Sequence, residues 1–285
     1  MSTIDRTQNL RRTSSRSTQP PASAVFVLLA AMLGSALTGA VLVKVFLHNL
    51  AGARLDNRLM SFLGGPPEAF DRINAWSGTV SPVTVIAILA VTTFVAIRRD
   101  RHAVAAATVL SVLGATATTQ VLKHGVFERV GSLPNSLPSG HTTAAMLWAI
   151  GAVLVSSRGW RPVVTVVGAI VASTIGVGTI AGRWHRPSDI AAAAAVCLGW
   201  AALAVLVATL VQRGARPAHS RPTGDYLKML GVAVLVSCLA FFALGFVLGG
   251  QGIEQVAALA VLLGMVIVCA GSVTLVAWLA DRELA

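Results

Sequence analysis

The chain has 285 residues, 55% of them hydrophobic and only 12% charged, with a mean hydropathy of +0.76. That balance excludes a water-soluble domain of this size and defines a polytopic membrane protein. A net charge of +11 would suit a nucleic-acid binder, but the basic residues collect in short segments between apolar runs. Membrane topology accounts for them, and nucleic acid is excluded as a partner.

In chain order, residues 1–22 are rich in Arg, Ser, Thr and Gln with little to bury, and read as a disordered basic cytoplasmic tail. The apolar run that follows, Ala24 to Val43, exceeds the roughly 7–15 residues of a signal-peptide core, which favours a retained anchor. Runs long enough to cross about 30 Å of hydrocarbon are predicted at 24–47, 79–97, 103–122, 142–157, 162–181, 189–211, 227–249 and 255–280. The fold class is therefore all-α, a transmembrane bundle of about eight helices. In the connection 49–78, Leu55, Leu59, Met60, Phe62 and Leu63 repeat at helical spacing opposite Arg54, Asp56 and Arg58. This predicts a short interfacial helix resting on the headgroups, with Trp76 as an interface anchor; shaping a lipid route beside a site is the alternative. Cys197, Cys238 and Cys269 fall inside apolar spans with no paired spacing, as small core residues do.

With the N-terminus inside, 14 of the 22 Lys and Arg residues fall in inner segments and 8 in outer ones. This bias places both termini in the cytoplasm, and the expected location is a bacterial-type plasma membrane. Four of the outer eight, Lys123, Arg129, Arg183 and Arg186, lie in two segments that also carry histidines: Lys123 to His141 and Gly182 to Ser188. Two predicted spans separate these segments, so both emerge on the outer face.

Those segments hold the chemistry, in Pro138-Ser139-Gly140-His141 and His185-Arg186-Pro187-Ser188-Asp189. A neutral imidazole can attack phosphorus and carry the phosphoryl group, provided a partner fixes its tautomer and stabilises the developing charge. Asp189, four residues after His185, suits the partner role, and His141 is the candidate to protonate a departing alkoxide. Phosphoryl oxygens need donors, for which the chain offers Lys123, Arg129, Ser139 and Arg183. Gly140, at the start of a helix, lets backbone approach the anion closely. No carboxylate cluster or Cys/His set suggests a metal, so no cofactor is expected. His124 adjoins Lys123 and could touch substrate; His48, His102 and His219 sit at membrane borders without comparable company.

Together, Pro138-Ser139-Gly140-His141 and His185-x-x-x-Asp189 resemble the type 2 phosphatidic acid phosphatase family, related in fold to vanadium haloperoxidases. The resemblance implies a six-helix phosphatase-like core over 23–211, with two additional C-terminal helices over 212–285. It also implies a metal-independent phosphohistidine mechanism with His185 as nucleophile, Asp189 as its partner and His141 as acid. Lys123, Ser139 and Gly140 would cradle the phosphate. Two positions depart from the family pattern. Lys123 is followed by Arg129 six residues later rather than by Arg-Pro seven later, and Gly178-Thr179 stand where Ser-Arg is usual. Arg183 is the nearest substitute for the absent arginine, and Arg186 is expected to matter less.

The expected activity is hydrolysis of a lipid phosphomonoester or pyrophosphate at the outer leaflet, on phosphatidic acid, phosphatidylglycerol phosphate or polyprenyl phosphates. A lipid phosphotransferase differs only in the acceptor at the second step. A non-catalytic lipid-binding or lipid-moving protein that keeps the fold is the alternative from another class, and a phosphatase of soluble substrates a weaker one. The last two spans are nearly free of charge and are assigned to packing or to assembly as a homo-oligomer.

Overall fold

The computed structural model describes residues 22–78, 80–128, 135–212 and 220–284. Residues 1–21 of the basic tail, Arg129 and His219 lie outside the described residues, as does the side chain of Trp76, while Ala22 already belongs to the first helix.

Among the described residues there are ten α-helices, borne on a sequence with almost no strand. They are α1 (Ala22–Leu42), α2 (Leu50–Ser61), α3 (Pro67–Ser77), α4 (Pro82–Arg98), α5 (His102–Val121), α6 (Gly140–Val155), α7 (Arg161–Ala181), α8 (Pro187–Val211), α9 (Thr223–Ala243) and α10 (Ile253–Glu283). The chain is an all-α polytopic bundle, as expected. Segments Ser23–Leu47, His102–Val126, Arg161–Ala181, Pro187–Val211, Thr223–Ala243 and Ile253–Glu283 are long and apolar enough to cross a membrane. The other two predicted spans are shorter apolar helices, Val83–Arg98 and Gly140–Val155. At 1.5 Å per residue, a helix of this kind reaches only about 24 Å.

Local chemistry sets the helix starts. Ser81 and Thr84 form a reciprocal capping box at α4, Ser139 accepts from the Thr142 N–H at α6, and Asn49 caps α2. Pro82 and Pro187 occupy first-turn positions, where a missing N–H costs nothing. Five-residue π turns, Val43–Leu47 and Leu122–Val126, continue α1 and α5.

Helices α6, α7 and α8 form the centre, with α5, α9 and α10 packed around them and α4 against α5 and α6. Helix α1 leans on α8 and turns Leu29, Leu33, Leu37 and Val41 outward, as suits a lipid-facing helix. Close approach depends on small residues: a Cβ at Gly114 would stand 2.3 Å from the Trp200 ring, so only glycine lets α5 meet α8 there.

The segment 49–78 departs from expectation. It contains two helices, not one. A two-residue ladder then pairs β1 (Leu63–Gly64) with β2 (Val247–Leu248), tying it to the C-terminal helices. Asp56, predicted on the solvated face of an interfacial helix, is fully buried. Helix α3 presses Ile73 onto α7 at Gly178, where a Cβ would come within 2.2 Å of the Ile73 side chain.

Candidate active site

The site forms at the bundle end where α5 stops, α6 starts, α7 stops and α8 starts. Helix α7 ends in a tight turn through Gly182 and Arg183, the latter at φ 60. The carbonyl of Thr179 accepts from the N–H groups of Trp184 (3.0 Å) and His185 (3.1 Å), which fixes the backbone just before α8. Pro187 then opens α8 and places Asp189 in its first turn, where the helix dipole favours a carboxylate.

His185 and Asp189 meet directly, with Nδ1 3.3 Å from Oδ2, and both are buried. The same Oδ2 accepts from the Arg186 N–H at 2.8 Å and from the Ser136 hydroxyl at 2.5 Å. The Arg186 guanidinium in turn donates to the Ser136 oxygen at 2.8 Å. A carboxylate whose Oδ2 gathers the Ser136 hydroxyl, the Arg186 N–H and the His185 ring is held in place, and it holds the imidazole in turn. With Nδ1 toward Asp189, the proton of neutral His185 belongs on Nδ1 and the lone pair on Nε2.

The second motif is docked onto the first through the backbone: the Ser139 N–H donates to the Asp189 carbonyl at 3.0 Å. Asn135 ties the stretch just before Ser139 to the end of α5, donating to the carbonyls of Lys123 and Phe127, each at 3.2 Å. His141, in the first turn of α6, faces His185 with ring centroids 6.1 Å apart and Trp184 at 5.7 Å. Both imidazoles border the same cavity.

Lys123, Gly140, His141 and His185 line one cavity of about 420 Å³. Away from these four it runs between α4, α5 and α6 along Val85, Ile86, Leu89, Val112, Leu113 and Ala144. A Cβ at Gly140 would meet nothing within 4 Å, so the first turn of α6 opens its backbone toward free space, as an anion site at a helix N-terminus requires.

The expected residues divide accordingly. His185, Asp189, His141, Lys123 and Gly140 converge. Ser139 is present but fully buried, acting as the cap of α6 and the link to Asp189. Arg129 lies outside the described residues. Arg183 is exposed and borders a separate hollow with Gly64, Gly65, Phe70 and Gly182. Thr179 is fully buried, and its hydroxyl donates to the Gly176 carbonyl of its own helix at 2.8 Å. His124 is exposed and absent from the cavity wall. Sequence reasoning overlooked Asn135, Ser136 and the ordering role of Arg186. The signal for them was adjacency: two flank the first motif and one lies inside the second. Among the described residues no three His, Cys, Asp or Glu side chains converge as a metal set.

Fold and site together define an integral membrane protein carrying two histidines and a carboxylate at one end of an all-α bundle. Residues 77–214 match the family model of the PAP2 superfamily, so this part of the chain has a phosphatase-type fold, in keeping with the type 2 phosphatidic acid phosphatase-like family that the motifs resemble. The match takes in α4 to α8 and every converging residue, but not α2, α9 or α10. No curated protein and no solved structure matches the chain significantly.

Proposed function

We propose that the protein is a membrane lipid phosphatase that cleaves a phosphomonoester or pyrophosphate through a phosphohistidine on His185. One observation carries this reading: the cavity that holds Lys123, His141 and His185 continues as an apolar channel between helices. A soluble phosphate needs no such channel, whereas a lipid needs one for its chain.

In this mechanism Nε2 of His185 attacks phosphorus, forming the N–P bond as the ester P–O bond breaks. Asp189 stabilises the imidazolium that results. His141 gives its proton to the departing oxygen and then, neutral, takes one from the water that cleaves the N–P bond, a role that commonly contributes about 10²–10⁴-fold. Lys123 and the backbone N–H groups at the start of α6 hold the equatorial oxygens. The charge bias of the connecting segments supports an outer-facing site with both termini cytoplasmic. Transfer to a second lipid acceptor would use the same first step.

A specific feature favours the second reading, a lipid-binding protein without turnover: Thr179 stands buried where the family carries a phosphate-binding arginine. Phosphate release from a panel of detergent-solubilised phosphatidic acid, phosphatidylglycerol phosphate and polyprenyl diphosphate decides between them. The expected result is release from at least one lipid by the unaltered protein and none by His185→Ala. Binding without release from any lipid establishes the second reading.

A further inference from the structure

Helix α8 carries Asp189 and begins immediately after His185, yet its N-cap position is Arg186, whose side chain cannot accept a hydrogen bond. The orphan donors of such a first turn must be satisfied from elsewhere. One acceptor comes from far away in sequence. Asp56 of α2, fully buried, accepts from the Ser188 backbone N–H at 3.1 Å through Oδ1 and from the Ser188 hydroxyl at 2.5 Å through Oδ2. Ser188 is itself buried and is the covalent neighbour of Asp189.

Building a carboxylate into a closed position is costly unless it is fully bonded, so a cap of this kind over-determines the turn it holds. The other anchors of the turn, Ser136 and the Arg186 N–H, bond the Asp189 carboxylate from the motif loops. Asp56 grips the turn through the adjacent residue and from a different helix. It lies outside the cavity wall and outside the family-matched segment 77–214.

We infer that Asp56 is a positioning residue for the reaction: α2 delivers it as a cap in trans that sets the first turn of α8, and thereby the Asp189–His185 contact. The inference rests on the phosphatase reading above. It gives the segment 49–78 a catalytic purpose in place of the headgroup-resting role its amphipathic pattern suggested.

The test compares Asp56→Ala, Asp56→Asn, Ser188→Ala and the Asp56→Ala/Ser188→Ala double variant with the unaltered protein, using one lipid that the unaltered protein cleaves. Asp56→Ala is expected to lower kcat by roughly 10- to 100-fold, the scale of a small misplacement of reacting groups, with KM within about 2-fold. Asp56→Asn, which keeps one acceptor, should recover part of the loss. The double variant should lose little beyond Asp56→Ala, because both changes cut one link. A general loss of folding would lower the active fraction and the melting temperature without a recovery ordered by acceptor count. If Asp56→Ala fails to fold, Asp56→Asn and Ser188→Ala read the same link. Unchanged kcat in both, or additive losses in the double variant, overturns the inference. His185→Ala runs in parallel: residual turnover there would refute the phosphatase mechanism itself, whereas a dead His185→Ala beside a fully active Asp56→Ala refutes the positioning role alone.

Discussion

At the scale of single residues, the site is organised around one oxygen. Oδ2 of Asp189 receives His185, Ser136 and the Arg186 backbone, and Arg186 closes the loop by donating to Ser136. The two neighbouring arginines are placed differently, and the one offered as a substitute for the absent family arginine is not part of this network. Arg183 is exposed and off the cavity, while Arg186 is buried within the network. Arg186→Ala is expected to lower kcat/KM by roughly 10- to 100-fold through a loosened Ser136–Asp189 pair, and Arg183→Ala by less than about 3-fold. Steady-state assays of the two variants check this, and a larger loss at Arg183 would reverse it. His141, His185 and Asp189 were legible in the sequence because their chemistry is written in residue type and short spacing. Ser136, Arg186 and Asp56 were not, because a hydroxyl, an arginine and an amphipathic acid acquire meaning only when other helices close over them.

At the scale of elements, the eight apolar runs were readable as helices because membrane helices must satisfy every backbone group internally and so leave a continuous apolar signature. Their polar joints were not. The pairing of β1 with β2 involves residues far apart in sequence and two positions per strand, too short to leave a periodic trace. The attachment of α10 was equally hidden. Asp281, in its last turn, is buried against Arg161 at 3.0 Å, with Arg158 and Arg221 each at 3.6 Å and the Arg221 N–H donating to it at 3.0 Å. This cluster clamps the C-terminal helix to the start of α7, at the end of the bundle away from the histidines. It supplies a physical reason for the two helices beyond the matched family segment: they brace α7, which carries the turn into His185. Asp281→Ala leaves Arg161 buried without its counter-charge and is expected to destabilise the protein by about 3–5 kcal/mol. A melting measurement in detergent checks this; an unchanged midpoint would show that the clamp contributes nothing.

For the whole molecule, the arrangement separates two ends. One holds the histidines, Lys123 and the cap from α2. At the other, Ser23 and Ala24 at the start of α1 border the same hollow as Trp278, Arg282 and Glu283 near the end of α10. Both described ends of the chain thus share one face, opposite the site, as the even number of apolar helices requires. In a background lacking Cys197, Cys238 and Cys269, an impermeant thiol reagent applied to intact cells should label Glu128→Cys at the site end and miss Arg98→Cys at the other. The opposite pattern would turn the site to the cytoplasm.

The central claim is covalent phosphoryl transfer to His185 from a lipid, and trapping the intermediate tests it most directly. Protein quenched in alkali during turnover of a phosphate-labelled lipid, then digested for mass spectrometry, should carry phosphate on His185, with Asp189→Asn showing far less and His185→Ala none. Label that persists in His185→Ala, or turnover without any phosphorylated histidine under conditions that slow the second step, would contradict the account.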